Sequence, residues 1–250
     1  MNSWIIGASA TALAAAGAAA WGAVSSSSEL FGPTVRRTAS GRKIALTFDD
    51  GPNPALTPQL LDLFERYSVS ATFFLIGKFA RACPDLVREI SARGHALGNH
   101  TDTHPNLFFQ SRAGIHDELA RCQEAIAKAA RAEPPRWMRP PYGYRNPLLN
   151  VEVRRAGMRV AMWSKICRDW KPQPPQRLIE KLAGVAQAAR PRGDIVLLHD
   201  GDHRVLGADR QHVVAALEHW LPRWRDAGME FVTMDAATAP ISDPVRAGQN

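Results

Sequence analysis

After Arg42 the chain alternates short apolar runs, rich in β-branched and aromatic residues, with amphipathic stretches of about a dozen residues or more, and this alternation limits the fold more than any other feature. The strand candidates are Ile44 to Asp49, Ala71 to Ile76, His95 to Asn99, Arg136 to Pro140, Arg159 to Ser164, Asp194 to His199 and Glu230 to Met234. Helical spacing fills Pro54 to Tyr67, Phe79 to Arg93, Arg112 to Arg131, Asn146 to Ala156, Pro175 to Ala189 and Arg210 to Ala227. Parallel strands need long crossovers, and helices supply them, so seven strands with six intervening helices predict an α/β fold with a parallel sheet. Gly94, Gly157 and Gly228 stand where three helices end, each shortly before a strand, in the place where a left-handed residue terminates a helix.

At 250 residues, with 45% apolar and 22% charged residues, the chain can bury one sizeable core, and a single barrel-like domain of this length is ordinary. No Gly-x-Gly-x-x-Gly follows the first strand, which disfavours a dinucleotide-binding sheet and leaves a closed or nearly closed barrel. In such barrels the working residues sit at the C-terminal ends of the strands. The net charge of +7 is scattered rather than gathered into a stripe with aromatic residues, so nucleic acid is not the expected partner. Cys83, Cys122 and Cys167 form no C-x-x-C pair and no even framework, so neither a disulfide scaffold nor a thiolate zinc site is expected.

From Trp4 to Val24 there is no charged residue, alanine dominates, and Ser25 to Ser28 follow as a polar exit. Residues 1–30 therefore read as a signal peptide or signal anchor, 31–42 as a linker, 43–238 as the catalytic domain and 239–250 as a tail. The expectation is an exported protein of the cell envelope, secreted or held at the membrane through residues 4–24.

Polar clusters close the first, third, fourth, fifth and sixth strands. The first strand ends in Thr47-Phe48-Asp49-Asp50-Gly51-Pro52, two adjacent carboxylates that diverge in direction, so one can bind a metal while the other faces a reacting water. The third ends in His100-Thr101-Asp102-Thr103-His104; if the chain makes a helical turn there, both imidazoles share a face and reach one ion. The fourth runs into Arg139-Pro140-Pro141-Tyr142-Gly143, a stiff segment able to hold a backbone amide towards a ligand beside an arginine that can clamp a carboxylate. The fifth leads to Asp169-Trp170. The sixth, Ile195 to Asp200, ends a wholly apolar strand in His199, whose pKa a nearby aspartate would raise, as suits a general acid.

The ordered set TFDDGP, H-T-x-x-H, R-P-P-Y-G, D-W and L-L-H resembles the polysaccharide deacetylases of carbohydrate esterase family four, the NodB-homology domain, over Lys43 to Met234. The resemblance implies a distorted (β/α)7 barrel. It makes Asp50, His100 and His104 the metal ligands and Asp49 the catalytic base paired with Arg139. It assigns the Tyr142 amide to the oxyanion site, His199 to the acid with Asp169 tuning it, and Trp170 and Leu197 to the acetyl pocket. Ile166 departs from the pattern, because many members carry an aspartate three residues before the D-W aspartate.

The implied reaction is metal-dependent hydrolysis of N-acetyl groups on an amino-sugar polymer, whether peptidoglycan, chitin-like or poly-N-acetylglucosamine, giving acetate and free amine. Zinc is the first choice of metal, and the ligand set would also accept cobalt, nickel, manganese or iron. A 2-His-1-carboxylate set also describes non-haem iron oxygenases, but such an enzyme needs no second aspartate and no distant acid. Three other readings stand beside the main one: a hydrolase of small non-sugar amides or imides, an O-acetyl xylan esterase, and an inactive carbohydrate-binding relic. His95, His116, His203, His212 and His219 read as structural, His203 alone being near enough to His199 in sequence to share its site. Trp220 and Trp224, at helical spacing, read as core.

Overall fold

The computed structural model describes residues 17–238 apart from 18 and 188, so most of the uncharged run 4–24 and the tail 239–250 lie outside the described residues. The centre of the fold is β1 (Lys43–Gly51), whose nine residues are all buried. It pairs in parallel with β2 (Thr72–Leu75) on one side and with β7 (Ile195–His199) on the other. Beyond β2 follow β3 (Ala96–Asn99), β4 (Trp137–Met138) and β5 (Arg159–Val160); beyond β7 lies β6 (Lys165–Ile166), and β8 (Glu230–Phe231) adds to the start of β1. The ladder order is β5-β4-β3-β2-β1-β7-β6, and each of these pairings is parallel.

The sheet is a curled half-barrel and not the closed or nearly closed seven-stranded one that the sequence predicts. Among the described residues β5 and β6 do not pair with each other. The reason lies in the fifth predicted strand, Arg159 to Ser164, which splits. Arg159–Val160 pairs with β4, and the chain then leaves the ladder and rejoins it as β6 against β7. Residues of the segment before β1 span the seam: Val35 bridges to Ala161 and Arg37 to Asp194, and the Met162 amide donates to the Val35 carbonyl at 2.7 Å.

The crossovers are α1 (Thr57–Tyr67), α2 (Gly77–Ala82), α3 (Pro84–Ala92), α4 (Arg112–Ala130), α5 (Leu149–Arg155), α6 (Pro175–Leu182) and α7 (Gln211–Asp226), with a short α8 (Met234–Ala237) at the end. The helix predicted from Phe79 to Arg93 is two helices, because Pro84 lacks an N–H and pushes Cys83 out of the helical region, to φ −129° and ψ 56°. Gly94, Gly157 and Gly228 do take positive φ, at 81°, 72° and 74°. The three cysteines are free thiols.

Strand alternation sorts the two faces of the sheet. Leu46, Phe48, Phe73, Leu75, Val196 and Leu198 point outward into the main core beneath the helices. Ala45, Phe74, Trp137, Ala161 and Ile195 form a separate cluster on the other face, which makes Asp49 and His199, each four residues further along its strand from Ala45 and Ile195, residues of that concave side. Trp224 belongs to the main core and Trp220 stacks on it, as the spacing predicts.

Phe48 stacks on Phe73 at 5.1 Å and lies 5.5 Å from Phe64, so three rings lock β1 and β2 to α1. Phe73→Ala should therefore cost about 3–5 kcal/mol in urea unfolding. An unchanged midpoint would show that the trio does not hold β1 in place.

Candidate active site

Strand register assembles the site. Asp49 is the partner of His199 across the β1–β7 ladder, Leu75 pairs with Asn99, and Asn99 pairs with Met138. His100 and Arg139 follow Asn99 and Met138 directly, and the His100 and Arg139 amides donate to the Leu75 and Asn99 carbonyls, each at 2.9 Å. The ends of β1, β3, β4 and β7 thus meet at one sheet edge, where Asp49, Asp50, His100, His104, Tyr142, Trp170, Leu197 and His199 line one cavity of about 340 Å³.

Arg139 is wholly buried. One of its nitrogens, Nη1, donates to Asp49 Oδ1 and to Thr47 Oγ1, both at 2.8 Å, while Nη2 donates to the Met162 carbonyl at 3.2 Å. Its guanidinium lies over the Phe74 ring at 4.2 Å. This fixes Asp49 Oδ1 and leaves Oδ2 on the side of His100, 3.8 Å from its Nε2.

Asp50 Oδ1 lies 3.4 Å from His100 Nε2 and 3.3 Å from His104 Nε2. Ligand atoms about 2.0–2.2 Å from a tetrahedral zinc ion are separated by about 3.3–3.5 Å, so the three groups stand at metal-binding spacing. Asp50 Oδ1 is also buried without a hydrogen-bond partner among the described residues, as a ligand atom would be. His100 Nδ1 is 2.7 Å from the Arg139 carbonyl, which can only accept, so the proton sits on Nδ1 and the Nε2 lone pair faces the cluster. Burial works to raise the Asp50 pKa, but His100, His203 and His199 hold its carboxyl well below the usual carboxylate range. Burial and the neighbouring His100 push His104 down to about 2, which favours the neutral, ligating form.

The segment His100 to His104 makes no helical turn, so the two imidazoles meet without the condition that the i and i+4 spacing requires. Instead Thr101 and His104 take positive φ, at 67° and 64°, and the Thr101 hydroxyl accepts from the His104 amide at 3.1 Å. Glu118 of α4 gathers the loop from beneath, accepting from the amides of Asp102 and Thr103 at 2.9 and 2.8 Å and from the Thr103 hydroxyl at 2.7 Å. The two imidazoles converge because the loop folds back on this carboxylate.

On the opposite flank, buried Asp169 accepts from the His199 amide at 2.6 Å through Oδ2 and from His199 Nδ1 at 3.1 Å through Oδ1. The ring therefore keeps Nε2 for the cavity. Burial pulls the His199 pKa down, but Asp169, Asp50 and Asp49 outweigh it and raise it to about 9. Trp170 packs edge-on against His199 at 5.3 Å.

A family model for polysaccharide deacetylase matches residues 36–161, about half of the chain. A chitooligosaccharide deacetylase of Bradyrhizobium is 39% identical over 196 residues, covering 76% of this chain and 88% of its own. A peptidoglycan-N-acetylglucosamine deacetylase of Bacillus cereus is 37% identical over 193 residues, covering 76% of this chain and 85% of its own. The chain belongs to the polysaccharide deacetylase family. The crystal structure of a peptidoglycan N-acetylglucosamine deacetylase superposes on this deacetylase with a TM-score of 0.73 at 29% identity, over 82% of this chain and 92% of that one.

The deacetylase site also holds groups that the sequence reading treats as structural or passes over. His203 stacks on His104 at 4.2 Å, with Nδ1 3.9 Å from Asp50 Oδ2. His212 donates from Nε2 to the Asp169 carbonyl at 2.7 Å and so steadies the partner of His199. Asp200, fully buried, accepts from the Thr57 hydroxyl at 2.5 Å, and burial together with Asp50 and Asp49 pushes it up to about 7. Only the proximity of His203 and Asp200 to His199 in sequence signals them; His212 carries no local sign. Ile166, half exposed, lines the cavity where relatives of the motif carry an acid. His95 is structural as expected, packed edge-on between Phe64 and Phe73.

A divalent cation should copurify with the deacetylase at one per chain. His104→Ala should lose it, as read by elemental analysis, while circular dichroism stays native. Undiminished metal in the variant would remove His104 from the ligand set.

Proposed function

We propose that this deacetylase hydrolyses the N-acetyl group of N-acetylglucosamine units in an amino-sugar polymer of the peptidoglycan, chitin-like or poly-N-acetylglucosamine class. The observation that carries the reading is a carboxylate held by Arg139 on one flank of the Asp50, His100 and His104 cluster and an imidazole held by Asp169 on the other. Hydrolysis of an amide needs both, a base for the attacking water and an acid for an amine that leaves poorly.

Asp50, His100 and His104 would hold a divalent ion, zinc in the first instance, which when bound would supply Lewis acidity for hydrolysis of the acetamide. Asp49 takes a proton from the attacking water through Oδ2, since Arg139 occupies Oδ1. The Tyr142 amide donates to the developing oxyanion; Tyr142 has φ 59° between Pro141 and Gly143, a left-handed conformation kept at a ligand-facing turn. With a pKa raised to about 9, His199 is protonated at neutral pH and delivers its Nε2 proton to the nitrogen as the C–N bond breaks. Leu197 and Trp170 line the cavity beside it and enclose the acetyl methyl.

The catalytic core we assign to this reaction is residues 43–238, with residues 22–28 and 35–37 packed against it. The uncharged run 4–24 supports export or membrane anchoring, which puts the substrate polymer in the cell envelope.

Asp49→Asn should lower kcat by at least about 10²-fold while metal remains bound. His199→Ala should damage cleavage of N-acetylglucosamine oligomers far more than cleavage of an activated acetate ester, whose leaving group needs no proton. Equal losses on the two substrates, or wild-type activity confined to O-acetyl xylan, would reject the amide assignment.

Because Asp169 raises the His199 pKa, activity should fall as pH rises through about 9, where the acid loses its proton. Asp169→Asn removes the main raising charge, so the basic limb of the kcat profile should move to lower pH. A limb that stays in place would assign it to another group.

A further inference from the structure

The uncharged run of residues 4–24 does not lead into a loose tether. Residues 19–24 are helical, and the side chain of Arg145, fully buried, donates to the carbonyls of Gly22 at 3.2 Å, of Ser28 at 2.8 Å and of Ser25. The Arg145 amide adds a bond to the Ala23 carbonyl at 3.0 Å. Four bonds from one residue thus tie residues 22–28 to the folded unit.

Around that segment the surface is unusually apolar. Trp21 is 54% exposed, Leu30 56%, Phe109 79% and Phe108 41%, with Leu148 and Val151 at 40% and 45%. Leu30 and Val151 line a shared cavity of about 660 Å³, and Gly22, next to Trp21, abuts Leu30. The Asn146 side chain donates to the carbonyls of Leu107, Phe108 and Gln110 and accepts from the Leu148 amide, which ties the segment carrying the two phenylalanines to Leu148 and the start of the helix carrying Val151. Arg154 and Arg155 line the same cavity. Arg112 and Arg155 share the single buried carboxylate of Glu152, and Arg154 has no ion pair among the described residues, so the face keeps a positive excess.

We propose that this face is seated on a phospholipid bilayer, with Trp21, Phe108 and Phe109 at the boundary of headgroups and acyl chains and the arginines at the phosphates. The proposal rests on the reading of residues 4–24 as a signal anchor, with its last residues, 19–24, packed on the folded unit where the run leaves the membrane. Two observations select lipid as the occupant: the uncharged run ends within the face itself, and the apolar residues are accompanied by cations whose counter-charge the protein does not supply. The enzyme is then clamped at a fixed height and orientation and works on glycan close to the membrane surface.

The test uses the full chain with Cys83→Ser, because the other two thiols are buried. An environment-sensitive fluorophore is attached singly at Ser9→Cys, Phe109→Cys or Arg66→Cys, the last on α1 and outside the face. The protein is bound to vesicles of equal parts phosphatidylglycerol and phosphatidylcholine carrying a headgroup nitroxide. The labels at 9 and 109 should both lose most of their fluorescence, and the label at 66 should keep it. Quenching at 9 with residue 109 as bright as residue 66 would leave the membrane segment standing and overturn the seated face. A blue shift at 109 without quenching would mean that protein covers the patch, and would overturn it equally. Bright labels at both 9 and 109 would overturn the membrane reading and the docking together.

Discussion

A guanidinium taken wholly out of water dictates much of what surrounds it. Arg139 is buried at the end of β4, and burying an unpaired cation costs several kcal/mol even after relaxation, so each of its donors must find an acceptor. Thr47 and Asp49 of β1, and the carbonyls of Ala161 and Met162 in the gap between β5 and β6, supply them. One side chain thereby ties the central strand, the fourth strand and the seam of the half-barrel together. The same tie leaves one oxygen of Asp49 for chemistry. Stability and site geometry rest on a single ion pair, and loss of either partner would strand the other in a dry interior.

Strain is concentrated around that pair. Asp50, Thr101, His104 and Tyr142 all have positive φ, from 59° to 71°, a region that costs a non-glycine residue about 1–3 kcal/mol. The neighbours that hold them are specific. Glu118 binds the loop from Asp102 to Thr103, and Asn53 links the Asp200 and Ala208 carbonyls beside the end of β1. Gly201 passes so close to the Asp50 carbonyl that a Cβ there would overlap it. Two side chains of the candidate metal cluster, Asp50 and His104, are aimed by backbone conformations that an isolated peptide would avoid.

The open seam serves the same end. The curled sheet stops at β5 and β6, and the cavity of about 340 Å³ lies at the edge where β1, β3, β4 and β7 end. Residues 35–37 bridge the two ends of the sheet lower down, through Val35 to Ala161 and Arg37 to Asp194, and so hold the half-barrel's curvature without filling the cavity.

Much of this was legible in the order of residues alone. The parallel α/β class, most strand positions, the three helix-ending glycines and the clustering of acids and imidazoles at strand ends are all local properties, governed by side-chain periods and by a few residues of turn chemistry. The local signals failed where distant contacts decided. The strand expected at Arg159 to Ser164 divided because its second half met Val35 rather than a neighbouring strand. His100 and His104 meet through a strained loop and not through the helical turn that their spacing allows, because Glu118, fourteen residues beyond His104, offers its carboxylate to that backbone. His203 and His212 joined the site through the path of the chain after β7, which no period records. Sequence determined which groups reach the working edge, since alternation along a strand is fixed by the backbone itself; only the tertiary structure decided how they face one another, because that depends on buried hydrogen bonds between residues far apart in the chain.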